Sequence, residues 1–286
     1  MTSFDAPNPS STCSENSVRS LTDNLTDAVP AKYSKQSVHL EPGNPTCLSE
    51  VMDIEQNHKS FGPVILPLSA LQPPIFSTVE TLRLSNQPPM SAVVLSCPHA
   101  GRIYPAEFIT ASIADISDLR GLEDFGVDQI VGGAIELGVP CVTNKISRAY
   151  IDVNRPIDAL DHLMLSSPPA SSDATPSRHV RAGYGLLPRL TAAREVIHRQ
   201  LLPYDEVEQR IALVHQPYHS ALRSALDSAQ TDSGHAILID CHSMPSHDQQ
   251  NKPLADIILG DLHHNTLDKK IGKTLSSLIE NAGFSI

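Results

Sequence analysis

The 286-residue sequence predicts a mixed α/β fold, a largely parallel central sheet flanked by helices, on three observations. From Ala92 onward, short apolar runs alternate with longer amphipathic ones, the order that parallel strands with helical crossovers require. Polar residues able to do chemistry follow several of these runs, at the strand ends where open α/β sheets bind ligands. The length and a 40% hydrophobic content suffice for a sizeable core.

The elements follow in order. Residues 1–60 are dominated by Ser, Thr, Asn, Asp and Pro without sustained periodicity, which predicts a disordered polar tail before an α/β domain over residues 61–286. "FGPVILPLSA" opens the ordered region, its two prolines weakening a strand. "AVVLSC" (92–97) predicts a strand and "PAEFITASIADISDL" (105–119) a helix with Pro105 near its first turn. "LEDFGVDQIVGGAIELG" (122–138) predicts a second helix closed by Gly138, followed by strands over "VPCVTNK" (139–145) and "AYIDVN" (149–154). Ala192 to Ala229 carries helical periodicity broken at Pro203 and Pro217. Strands over "HAILIDC" (235–241) and "ADIILGD" (255–261) precede the helix "NTLDKKIGKTLSSLIENAG" (265–283). Gly283 reads as a helix cap and "FSI" as the first residues of another strand, so the chain is expected to be cut short.

Composition excludes several function classes. A formal net charge of -11 without any Lys/Arg cluster argues against nucleic acid as a partner. No segment approaches the roughly 18 apolar residues of a membrane span. Five cysteines, Cys13, Cys47, Cys97, Cys141 and Cys241, form no CxxC pair, and the N-terminus lacks a signal-like apolar segment, so a cytoplasmic location with reduced thiols is expected.

Four polar clusters mark the strand ends: "SCPHAGRIYP", "SRAYIDVNRP", "DCHSMPS" and "LGDLHHN". His99 and His242 each sit just past a strand, so neighbouring strands would place both imidazoles in one crevice as zinc ligands, with Asp240 orienting His242 from behind. The third ligand would be a carboxylate, Glu123 or Asp124, leaving a fourth position to water. In "DVNRP", Arg155 offers a planar fork for a carboxylate beside the Asn154 amide, with Asp152 holding the guanidinium; a structural Asp152–Arg155 pair is the alternative. Arg148 is either a second cationic contact or a solvated charge. An acidic substrate follows from the first reading. Cys241 and Ser243 invite a nucleophile role, but Cys241 and His242 point to opposite faces of a strand and no Gly-x-Ser-x-Gly elbow exists. Cys97 reads as a packing residue, and His263 and His264 as loop residues.

Taken in order, "SCPHAGRIYPAEF", "LEDFGVDQI", "RAYIDVNRP", "GLLPRL", "YHSALRSAL", "ILIDCHSMPS" and "DIILGD" resemble the N-formylglutamate amidohydrolase (deformylase) family from about Ala92 to the C-terminus. The resemblance implies a fold similar to the zinc carboxypeptidases and aspartoacylases, and hydrolysis of N-formyl-L-glutamate to formate and L-glutamate, the last step of a histidine-degradation route. It implies His99 and His242 as metal ligands, an acidic ligand at Glu123 or Asp124, and Asn154 and Arg155 as a substrate-carboxylate pair. The His-x-x-Glu spacing of the carboxypeptidases is absent, since Arg102 stands where the Glu would fall. The family's strand of the form Gln-Ile-Glu-Ile-Asn-Arg is also absent, so its Glu, the general base, is expected beyond Ile286. The competing expectation is a catalytically impaired remnant that binds zinc or a dicarboxylate.

Overall fold

A computed structural model describes residues 62–73, 76–82, 91–167, 176–248, 250–262 and 265–286, together with the backbone of 17–20 and 38–39. His263 and His264 lie outside the described residues. Nine strands form two sheets among these residues. The larger has the order β4-β7-β5-β8-β1-β9, where β4 is Val79–Leu82, β7 Cys141–Asn144, β5 Val93–Cys97, β8 Ile237–Ser243, β1 Ser17–Ser20 and β9 Ile258–Leu259. β7, β5, β8 and β1 run parallel, and the two edge strands are antiparallel to them. The smaller sheet is all parallel, with β2 (Val38–His39), β3 (Val64–Leu66) and β6 (Ile103–Pro105) in that order. β1 and β2 are strands within the first sixty residues, where the sequence predicts none; the remainder of that tail lies outside the described residues.

Alternation along β5 divides the core. Val94 faces a large cluster under the long helix Gln216–Ser233, whereas Leu95 and Cys97 face a smaller cluster with Ala100, Val127, Cys141 and Cys241. The chain leaves β5 for β7 on one side and later returns to β8 on the other, so the C-terminal end of β5 is a point where the winding reverses. Crevices form at such points. β5 and β8 pair in register, Leu95 opposite Ile239 and Ser96 opposite Asp240, which sets the chain after each strand side by side.

Several elements differ from the sequence expectation for identifiable reasons. The first helix is two: it stops at Ala111, and Asp115, accepting from the Ser117 and Asp118 amides, caps a new one over Ile116–Arg120. The second is reduced to single turns, Val127–Ile130 and Gly133–Glu136, because Gly126 starts the first in the left-handed region and Gly132 and Gly133 interrupt it. Within Ala192–Ala229, helix begins only at Tyr204, after Pro203. Pro217 does not break it. A π-helical turn, Ile211–His215, precedes the proline, and Thr78 Oγ1 donates at 2.9 Å to the Leu213 carbonyl that Pro217 has no N–H to reach.

The segment "AYIDVN" is not a strand but a buried irregular loop. Its carbonyls find side chains instead of a neighbouring strand: Arg210 Nη1 donates to Tyr150 O, His219 Nε2 to Val153 O and, just beyond, His215 Nε2 to Arg155 O, each at 2.8 Å. Buried backbone must be paired, and here one helical stretch supplies all three donors.

Candidate metal centre

The turn after β5 carries His99. Gly101 is required there, since a Cβ would stand 2.3 Å from the Ile146 carbonyl oxygen. Asn144, fully buried at the end of β7, donates to Pro98 O at 3.0 Å and to Ile146 O at 2.9 Å, clamping the turn onto its neighbour. The Asp124 amide donates to His99 O at 2.9 Å, which brings that carboxylate to the imidazole. On β8, Asp240 and His242 share one face, and Cys241 turns to the other, into the smaller core cluster.

Three electron-pair donors meet at this point. His99 Nδ1 lies 3.1 Å from His242 Nδ1, and Asp124 Oδ2 lies 2.8 Å from His242 Nδ1 and 3.4 Å from His99 Nδ1. Each ring is held from behind. His99 Nε2 donates to Asp152 Oδ1 at 2.7 Å, and His242 Nε2 donates to Asp240 Oδ2 at 3.0 Å, with the Asn154 amide also 3.0 Å away. A ring that gives its Nε2 proton to a carboxylate turns its Nδ1 lone pair towards the other ring. Two lone pairs and a carboxylate oxygen so close require a positive charge between them.

A proton or a cation can supply it. Burial alone would lower the His242 pKa, but hydrogen bonds to Asp124 and Asp240 and the charges of both carboxylates push it up to about 10. Burial would raise the Asp124 carboxyl, yet hydrogen bonds from His242 and His99 hold it well below the usual range. The donor set fits zinc as well: three ligands at ~2.0 to 2.1 Å from one tetrahedral ion stand roughly 3.3 to 3.4 Å apart, close to the spacings above. Asp124, His99 and His242 form one cluster suited to a metal among the described residues.

The other candidates fall into place around it. Glu123, the second carboxylate left open by the sequence, is not at the site: it accepts from Tyr104 OH at 2.5 Å and pairs with Arg120 Nε at 3.2 Å. Burial raises its pKa against the pull of Arg120. Asp152 is fully buried and holds Arg148 through Nε at 2.9 Å; Arg155 Nε is 3.9 Å from it and donates instead to Tyr184 O at 3.2 Å. Asp152 thus pairs with both arginines, closely with Arg148 and more loosely with Arg155. Burial favours neutral Asp152, but Arg148 and then His99 hold it ionised, well below the carboxylate range. Among the described residues, the Ser243 hydroxyl makes only a long contact, 3.4 Å, with Asp124 Oδ1.

Sequence reasoning missed the support behind these groups. Ser96 donates to Asp240 Oδ1 at 2.6 Å and lies 2.5 Å from Tyr218 OH, while His215 and His219, rings 4.3 Å apart, hold the Asp152–Arg155 loop. Burial lowers the pKa of both histidines, which keeps them neutral N–H donors. The "YH" of "YHSALRSAL" was the visible signal.

Known proteins share this arrangement of segments. The family model described as N-formylglutamate amidohydrolase matches residues 91–286. An N-formylglutamate deformylase of Pseudomonas putida is 28% identical over 198 residues, 68% of this chain and 68% of that protein. Another, from Pseudomonas aeruginosa, is 29% identical over 54% of this chain and 53% of its own length, so the chain spans about half of that relative. The crystal structure of N-formylglutamate amidohydrolase from Ralstonia eutropha superposes with a TM-score of 0.66 at 28% identity, covering 73% of this chain and 75% of the other. A gene product of Agrobacterium tumefaciens, 16% identical with a TM-score of 0.50, shares the fold. With its model matched from residue 91 to residue 286, the chain belongs to the N-formylglutamate amidohydrolase family.

Proposed function

We propose that this chain hydrolyses the amide bond of N-formyl-L-glutamate, or of a similar N-acylated acidic amino acid, using one zinc ion held by His99, Asp124 and His242. The observation that carries the reading is the convergence of His99 Nδ1, His242 Nδ1 and Asp124 Oδ2 within 3.4 Å of one another. When bound, zinc supplies a Lewis acid and lowers the pKa of water towards neutrality. The residues do the rest. Asp152 and Asp240 fix the two rings so that the Nδ1 atoms face inward. Arg148, Asn154 and Arg155, on one loop beside the histidines, provide cationic and amide donors suited to the carboxylates of the substrate. Asp124, Asp152 and Asp240 are each committed to a histidine or an arginine, so we assign proton transfer to none of them. Free, buried Cys97, Cys141 and Cys241 suit the reducing cytoplasm, and no described helix is long and apolar enough to cross a membrane.

The test is formate release from N-formyl-L-glutamate by the parent chain and by His242→Ala, with zinc, after chelation, and after zinc is restored. Turnover is expected to disappear with the chelator and in His242→Ala, and to return with zinc in the parent. Turnover that survives chelation overturns the metal reading. Zinc binding without turnover would leave an ion- or dicarboxylate-binding protein instead.

A further inference from the structure

We propose that Tyr218 and His219, consecutive residues in the first turn of the helix Gln216–Ser233, are positioning residues that hold the two imidazoles of the metal centre. The inference rests on the metal reading above and adds two residues that touch none of the three donor atoms.

The first arm runs through hydroxyls. Ser96 has one proton and gives it to Asp240 Oδ1 at 2.6 Å, because an ionised carboxylate can only accept. The Tyr218 hydroxyl, 2.5 Å from Ser96 Oγ, must then donate to Ser96. The chain of bonds has a single direction: Tyr218 to Ser96, Ser96 to Asp240 Oδ1, and His242 Nε2 to Asp240 Oδ2 at 3.0 Å. With Oδ1 occupied, the Asp240 carboxylate cannot rotate away from His242. Tyr218 is 2% exposed, and filling that space alone would need only a phenyl ring.

The second arm runs through the backbone. His219 Nε2 donates to Val153 O at 2.8 Å. Val153 sits between Asp152, which holds His99 Nε2 at 2.7 Å, and Asn154, whose amide lies 3.0 Å from His242 Nε2. Neighbouring residues on a helix point about 100° apart. One turn of this helix therefore reaches the Asp240 side through Tyr218 and the Asp152–Asn154 side through His219. His215, one turn earlier, pins the end of the same loop at Arg155 O.

The experiment titrates cobalt(II), whose visible absorption reports affinity and ligand geometry, into the parent, Tyr218→Phe, His219→Leu and His219→Gln. In the metal-free proteins the ring signals of His99 and His242 are read by ¹⁵N–¹H NMR. Tyr218→Phe keeps the ring and loses one donor, so cobalt affinity should fall about 3- to 10-fold and the His242 signals should shift. His219→Leu should weaken binding about 10-fold or more and shift both histidines, and His219→Gln, whose amide still offers a donor to Val153 O, should recover most of the loss. If Tyr218→Phe and a folded His219→Leu keep the parent's affinity, spectrum and ring signals, the proposal is overturned. Should His219→Leu fail to fold, Tyr218→Phe decides by itself. A parent that binds no cobalt removes the metal reading alone; the ring signals then still decide whether these residues orient the histidines.

Discussion

At the residue scale, His99 and His242 were legible in the sequence because each follows an apolar run, and a parallel sheet lines such ends up on one side. The choice between Glu123 and Asp124 was not. It is made by the Asp124 amide bonding to His99 O and by Tyr104 and Arg120 drawing Glu123 away, long-range contacts that no local pattern records. The surroundings of Arg155 were not legible either: the carbonyls of Tyr184 and Asn154 accept from its guanidinium, and Arg148 makes the shorter contact with Asp152 while Arg155 stands 3.9 Å from it. Neighbouring side chains on β8 should respond in opposite ways. Asp240→Asn should weaken zinc binding about 10- to 100-fold, as loss of a carboxylate behind a ligating histidine does. Cys241→Ala should leave zinc affinity unchanged and lower only the melting temperature, because its thiol lies in the smaller core cluster on the far face. Isothermal titration with zinc separates the two outcomes.

At the scale of elements, strands that were continuous apolar runs were readable, and β5, β7 and β8 lie where the sequence put them. "AYIDVN" failed because alternating apolar and polar residues satisfy either a strand or a buried loop. What distinguishes them is the source of hydrogen bonds, here Arg210, His215 and His219 more than fifty residues later. Pro217 likewise reads as a break unless the freed Leu213 carbonyl is known to have another donor. Thr78→Val removes that donor at constant shape and leaves a buried carbonyl unpaired, which should cost about 1 to 3 kcal/mol of stability. A urea denaturation curve should show a lower midpoint with an unchanged slope; an unchanged midpoint would mean that the π-helical turn satisfies Leu213 without help.

For the whole molecule, buried imidazoles set the dependence of stability on pH. Burial, with the Arg210 charge, pushes His198 down to about 3, and its Nε2 has no hydrogen-bond partner among the described residues. In the unfolded chain such a group takes up its proton near 6.5, so stability is complete above that value and is lost as pH falls towards 3; His215 and His219 act in the same direction. His242 works oppositely, since its folded pKa is raised to about 10 and its contribution is lost as pH rises from 6.5 through 10. Metal-free protein should therefore melt highest near pH 6.5 to 7. Replacing His198 by Phe should narrow the difference in melting temperature between pH 7 and pH 5, measured by calorimetry. His99, in the turn after β5, and His242, on the adjacent β8, lie 143 residues apart in the chain, and that separation governs how the proposed metal centre is assembled. A nascent chain exposes β5 and β7 well before β8 has been synthesised, and the early portion offers a cation only His99 and Asp124. On the metal reading proposed above, capture of the ion would wait until β8 docks beside β5, the slow, long-range step of assembly. Docking of β8 would thus time metal uptake during biosynthesis, and a ribosome stalled before residue 242 would hold a chain lacking one of the three proposed ligands.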